Sequence, residues 1–175
     1  MNRIVCWFSC GAASAVATKL AITENAGRRP IVVAYTEVVN EHPDNKRFLK
    51  DCERWFGQEI VILQNEKYQG DIMQVFRKER FISGPKGAPC TRLLKRWPRI
   101  MFEDETDTQV FGFTSEEAGR AARFSASNDY MDLSTPLIDR GMAKADCQAL
   151  LWAEGIKLPA MYDLGYRNNN CIGCV

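Results

Sequence analysis

The chain has 175 residues, 46% of them apolar and 26% charged, and its 23 basic and 22 acidic side chains leave a net charge of +1. That composition suits one soluble globular domain over residues 1–175 with a sizeable core, and the overall charge makes no electrostatic case for nucleic acid. No apolar run reaches the ~18 residues of a membrane span, and the N-terminus lacks an export-signal pattern, so a cytoplasmic protein with reduced thiols is expected.

Residues 3–9 read as a first strand, with Ile4-Val5-Cys6-Trp7-Phe8 continuously apolar. The spacing of Ala13, Val16, Ala17, Leu20 and Ala21 predicts a helix over 13–26. A second apolar strand covers 30–36, a helix about 43–56 ends at Gly57, and a third strand is Ile60-Val61-Ile62-Leu63. A short helix over 71–79, a Gly/Pro loop over 82–89 and a helix from 91 to about 102, interrupted at Pro98, follow. Residues 108–113 form a fourth strand, Ser115 caps a helix to about 123, 133–137 is a weak fifth strand, and 144–154 is a last helix. The tail from Pro159 is irregular. Alternating strands and helices predict an α/β sandwich of three layers on a mostly parallel five-stranded sheet. Ligands in such sheets bind outside the carboxyl ends of the strands.

Three features carry chemistry. Phe8-Ser9-Cys10-Gly11-Ala12-Ala13-Ser14-Ala15 is a small-residue turn between the first strand and the first helix. It suits either close strand-to-helix packing or an anion site, because first-turn N–H groups and the helix dipole face outward there. It has neither the Lys of a Walker loop nor the later glycines of a dinucleotide fingerprint. Seven cysteines form the second feature. Cys6 and Cys52 fall at core positions, whereas Cys171 and Cys174 make a C-x-x-C, and Cys90 starts a helix beside Arg92 and Lys95, a setting that favours thiolate. Cys90, Cys171 and Cys174 suit three ligands of an iron–sulfur cluster, three of four zinc ligands, or a dithiol with an accessory thiol. Third, Arg120 and Arg123 on one helix face suit either a bidentate phosphate clamp or a solvated face paired with Glu116 and Glu117. His42, the one histidine, suits capping or packing of a loop.

In order and spacing, the turn at 8–14, Ala34-Tyr35-Thr36-Glu37, Pro89-Cys90-Thr91-Arg92-Leu93-Leu94-Lys95, Gly112-Phe113-Thr114 with Arg120, Pro136-Leu137, Gly155-Ile156-Lys157-Leu158-Pro159, Tyr162-Asp163-Leu164-Gly165-Tyr166 and the closing Cys171-x-x-Cys174 form one pattern. It resembles the phosphoadenosine phosphosulfate (PAPS) reductase-like family of the PP-loop superfamily, the adenine-nucleotide α-hydrolases and ATP pyrophosphatases. The resemblance implies a site for ATP or another adenine nucleotide, with phosphates on Ser9, Cys10, Gly11, Ala12, Ala13 and Ser14 and the adenosine beside Thr36 and Glu37. Arg92, Lys95, Gly112 and Arg120 complete that site, with Arg123 added by the clamp reading. It also implies a 4Fe–4S cluster on Cys90, Cys171 and Cys174, with zinc as the alternative. Cys90 and Cys10 are the candidate catalytic thiols.

The chain departs from the family at several points. Cys10 stands where the family loop has its first glycine, and Ala13 stands where it has an aspartate, which removes a possible magnesium link. A single cysteine, Cys90, follows Pro89 where cluster-bearing reductases have an adjacent pair. The sequence given, ending at Val175, has no counterpart of the reductases' catalytic tail cysteine. The expected function is therefore sulfur transfer or redox chemistry on a nucleotide or a nucleic-acid base. The alternative is a non-catalytic zinc- or thiol-stabilised nucleotide-binding module, or a subunit completed by a second copy or a partner docking on 162–170.

Overall fold

In the computed structural model, residues 2–85, 87–169 and 171–172 are described. Five strands, β1 (Ile4–Phe8), β2 (Ile31–Thr36), β3 (Ile60–Leu63), β4 (Thr108–Val110) and β5 (Asp132–Ser134), form one sheet in the order β3-β2-β1-β4-β5. Every pairing is parallel, so the mostly parallel sheet expected is wholly so. The helices are α1 (Ala12–Asn25), α2 (Asn45–Phe56), α3 (Ile72–Glu79), α4 (Trp97–Phe102), α5 (Ala118–Ala126), α6 (Pro136–Asp139), α7 (Lys144–Ala153) and α8 (Ala160–Asp163).

β1 is central, which explains its unbroken apolarity. Cys6 and Phe8 face the larger core layer with α1, α2 and α7, while Val5 and Trp7 face Ala34, Phe102 and Phe111 on the other side. Polar Gln109 is buried in β4 because its Oε1 accepts the Trp7 indole N–H at 2.5 Å. Small residues on α1, chiefly Ala12, Ala15 and Ala17, are fully or almost fully buried and let the helix lie close to the sheet. Cys6 and Cys52 are core thiols, as their positions predict.

Some boundaries differ from the sequence reading. β4 ends at Val110; the Phe111 amide still donates to the Ser134 carbonyl of β5 at 3.1 Å, and beyond it the chain turns so that the Phe111 and Phe113 rings pack together and against Phe124. β5 is shifted to Asp132–Ser134, and Pro136, which has no N–H for a ladder, instead opens α6. The expected helix over 91–102 begins as a π-turn, Thr91–Arg96, and becomes α-helical at Trp97, with Pro98 directly after the π-turn. The tail is irregular except for α8. Among the described residues, no helix is long and apolar enough to cross a membrane.

Candidate functional site at the carboxyl edge of the sheet

β1 has β2 on one side and β4 on the other, so the strand order reverses beside it. The loops after β1 and β4 therefore diverge over the crevice where open α/β sheets bind ligands. The β1–α1 turn lies there and is braced from within. Ser14 Oγ accepts the Ser9 amide at 3.0 Å and the Gly11 amide at 3.4 Å, and donates to the Gly11 carbonyl at 3.0 Å. The Ser9 hydroxyl lies 3.1 Å from the same oxygen. The Ala12 amide, in the first turn of α1, donates to Tyr162 Oη at 3.3 Å. Burial raises the Tyr162 phenol, against the pull of that amide. Ser9 itself is exposed.

Gly112 presses on this turn. A Cβ there would lie 2.7 Å from Ser14 N and Cα, so only glycine permits the approach of the β4 loop. Cys10, in this turn, has φ 54. An L-residue in that region is strained by roughly 1–3 kcal/mol. Two features hold it: its side chain is fully buried, and its carbonyl accepts from Asn169 Nδ2 at 2.6 Å. Burial, then the Glu41 charge, pushes the Cys10 thiol well up, which keeps it protonated at neutral pH.

Asn169 also donates to Asn45 Oδ1 at 2.8 Å, and Asn45 Nδ2 donates to Glu41 Oε2 at 2.9 Å. The Tyr35 hydroxyl donates to the same carboxylate at 2.6 Å, and Lys95 Nζ reaches its other oxygen at 2.8 Å. Burial works against the Lys95 ammonium, but the Glu41 carboxylate outweighs it and raises the group above its ordinary 10.5. A chain of contacts thus runs from the π-turn through the loop after β2 and the start of α2 to the C-terminal segment and the β1–α1 turn. No sequence signal gave Glu41, Asn45 or Asn169 a role in the site, and Tyr162 was marked only as part of the family pattern, because each acts through a partner distant in the chain or in another loop. Within that C-terminal segment Tyr162 and Asn169 turn inward onto the site, while Leu164 and Tyr166 are exposed.

Beyond the end of β2 lies a second apolar cluster of Val38, Tyr68, Val75, Leu94 and Cys171, with Cys90 packed against it. The backbone of Cys171 bridges to Glu41, and the Ile172 amide donates to the Asn40 carbonyl at 3.1 Å. Two of the three expected metal ligands thus share one cluster; the third, Cys174, lies outside the described residues. Among the described residues, no group of three His, Cys, Asp or Glu side chains is gathered for a metal. Cys171, in this cluster and near the Lys95 ammonium, and Cys90, packed against it, are donors whose chemistry fits a sulfur-ligated centre.

The remaining candidates spread outward. Glu37 borders a cleft of ≈ 420 Å³ beside the end of β2, together with Tyr35, Val38, Asn45, Lys46 and Ile62, and Thr36 ends that strand, half-buried. Ala12 is buried and Ala13 half-buried in the first turn of α1. Arg92 is drawn toward α3, 3.7 Å from Glu79. Arg120 pairs with Glu117 at 2.5 Å over the Phe113 ring, and Arg123 is exposed on the same helix. The His42 imidazole caps a loop by accepting the Asp44 amide at 3.1 Å. A further cleft of ≈ 390 Å³, bordered by Ile4, Asn25, Arg28 and Arg29, lies at the amino ends of the strands, away from the turn.

An all-parallel sheet flanked by helices, with its first turn at the strand-order reversal, is the PAPS reductase-like α/β fold. Among solved structures, the PAPS reductase from Candida auris, determined as a phosphate complex, matches with a TM-score of 0.63. The match covers 100% of this chain and 84% of that one, at 12% identity. No family model matches the chain, and no curated protein matches it in sequence.

Proposed function

We propose that this protein is an adenine-nucleotide-binding enzyme that performs sulfur-transfer or redox chemistry on a nucleotide or a nucleic-acid base. The observation that carries this reading is the placement of the Ser14-braced turn at the strand-order reversal, linked through Cys10, Asn169, Asn45, Glu41 and Lys95 to the cluster that holds Cys90 and Cys171. The likeness in fold to a PAPS reductase solved with phosphate supports it. In this reading those amides of the turn that Ser14 and Tyr162 do not already take, together with the exposed Ser9 hydroxyl, receive phosphate oxygens, and the cleft beside Glu37 takes the adenosine. Cys90, Cys171 and Cys174 would hold a 4Fe–4S cluster, which supplies electron transfer or an open iron for a sulfur ligand. Lys95, already balanced by Glu41, sits where it offsets thiolate charge.

The first test is metal and acid-labile sulfide analysis of protein purified without oxygen, with Cys90→Ser and Cys171→Ser in parallel, beside an ATP-binding titration. About four irons and four sulfides per chain, lost in either variant, together with ATP binding, are expected. A second reading, a non-catalytic zinc- or thiol-stabilised nucleotide-binding module or a subunit of a larger enzyme, is favoured by one observation: Arg92, Lys95 and Arg120 are each engaged by a carboxylate. One zinc, no sulfide and no turnover would select it.

A further inference from the structure

We infer that the face formed by the end of α3, with Arg80 and Phe81 just after it, and the π-turn leading into α4 binds single-stranded nucleic acid and presents it to the site. This deepens the proposed function by naming a substrate class, and in that respect rests on it. Residues 77–99 carry eight basic side chains and Glu79 as their one acid, leaving the rest of the chain with fifteen basic residues and twenty-one acidic ones. The net charge of +1 therefore conceals a strongly polarised molecule. The fold decides which of these cations are free to meet a ligand. Lys95 is held by Glu41, Arg99 by Glu103 and Arg92 by Glu79, and Lys78 donates to the Lys67 carbonyl. Among the described residues, no hydrogen bond or ion pair holds the exposed side chains of Arg77, Arg80 and Arg96. Arg80 also occupies a left-handed position, φ 50, at the end of α3, where glycine would be the relaxed choice.

Rings accompany these cations. Phe81 is 49% exposed and Trp97 51% exposed, next to Arg80 and Arg96 respectively. Cations that track a phosphate backbone, interleaved with open aromatic faces for bases, are the means by which proteins hold single strands. An acidic polypeptide would satisfy the arginines but leaves the two rings without a stacking partner. The face also runs directly to the candidate centre: Cys90 stands at the head of the π-turn, and Arg92 joins that turn to α3 through Glu79.

The test is fluorescence anisotropy of the full chain with labelled oligothymidylate and oligouridylate of about 16 nucleotides, titrated between about 50 and 200 mM salt. Binding that weakens with salt is expected. Arg77→Ala, Arg80→Ala and Arg96→Ala combined should flatten the log–log slope by roughly 2, from about 0.7 per phosphate contact on single strands. Trp97→Ala should weaken binding roughly tenfold through lost stacking, and Arg54→Ala on α2 should match wild type. Triple-variant curves that superimpose on wild type, or polyglutamate that displaces the strand at equal charge, would overturn the inference. ATP affinity, titrated separately, should be unchanged in the triple variant. Strand binding without ATP binding would instead refute the nucleotide reading and leave this surface standing.

Discussion

Replacing Ser14 by alanine removes the acceptor that the Ser9 and Gly11 amides share. Leaving those donors unpaired should cost about 1–3 kcal/mol of stability, visible as a lower midpoint in urea unfolding, and should weaken ATP binding in the same sample. Gly112→Ala attacks the same turn from outside. Its methyl would meet the backbone of Ser14 rather than a movable side chain, so a loss of about 1–3 kcal/mol is expected, again with weaker nucleotide binding. An unaltered nucleotide affinity in both variants would mean that the turn is packing alone. At Lys95 the question is charge. Lys95→Met leaves Glu41 to Tyr35 and Asn45, and because the Lys95 side chain is 40% exposed, the loss should be about 2 kcal/mol rather than the larger cost of breaking a fully buried pair. The sign with pH follows from the raised ammonium. Its stabilisation is complete below pH 10.5 and fades as the pH climbs through the folded-state value, so wild type and variant should converge only in strong alkali.

The start of α2 fastens the C-terminal segment. Asp44 takes both prongs of Arg47 at 2.7 Å and also accepts the Ala160 amide at 2.9 Å, while Arg47 donates to the carbonyls of Lys157 and Leu158 at 3.0 Å. Hydrogen bonds from Arg47 hold the Asp44 carboxyl down at about 2, from an ordinary 3.8. A depressed carboxyl stabilises above its unfolded value, and that share disappears as pH falls through the folded one. Asp44→Asn should therefore be less stable than wild type by a constant margin above pH 4, and the margin should close between 3.8 and about 2. Because the α8 segment carries Tyr162 to the turn, the variant should also loosen nucleotide binding at neutral pH. Chemical unfolding at a series of pH values reads the first effect, and an ATP titration the second.

Across the molecule, the sequence by itself determined the layers. Continuous apolarity in Ile4-Val5-Cys6-Trp7-Phe8 and in β2 announced strands covered on both faces, and the 3.6-residue spacing in α1 announced the helix between them, because burial writes its period into the chain. It also marked the Ser9–Ser14 turn, Gly112 and the cysteines as the residues to watch. Pairings between distant segments were beyond it. Nothing local says that Asn169 reaches the Cys10 carbonyl, that Tyr162 meets the Ala12 amide, or that Glu41 claims Lys95. Those bonds exist because parallel strands bring every β–α turn to one edge, where the connection between β3 and β4 and the C-terminal segment both cross. Tertiary structure likewise sorted the cations, tying Lys95, Arg92 and Arg99 to carboxylates and leaving Arg77, Arg80 and Arg96 exposed. A side chain's charge is fixed by its chemistry, but whether that charge is spent inside the fold or offered to a ligand depends on which neighbours the fold supplies.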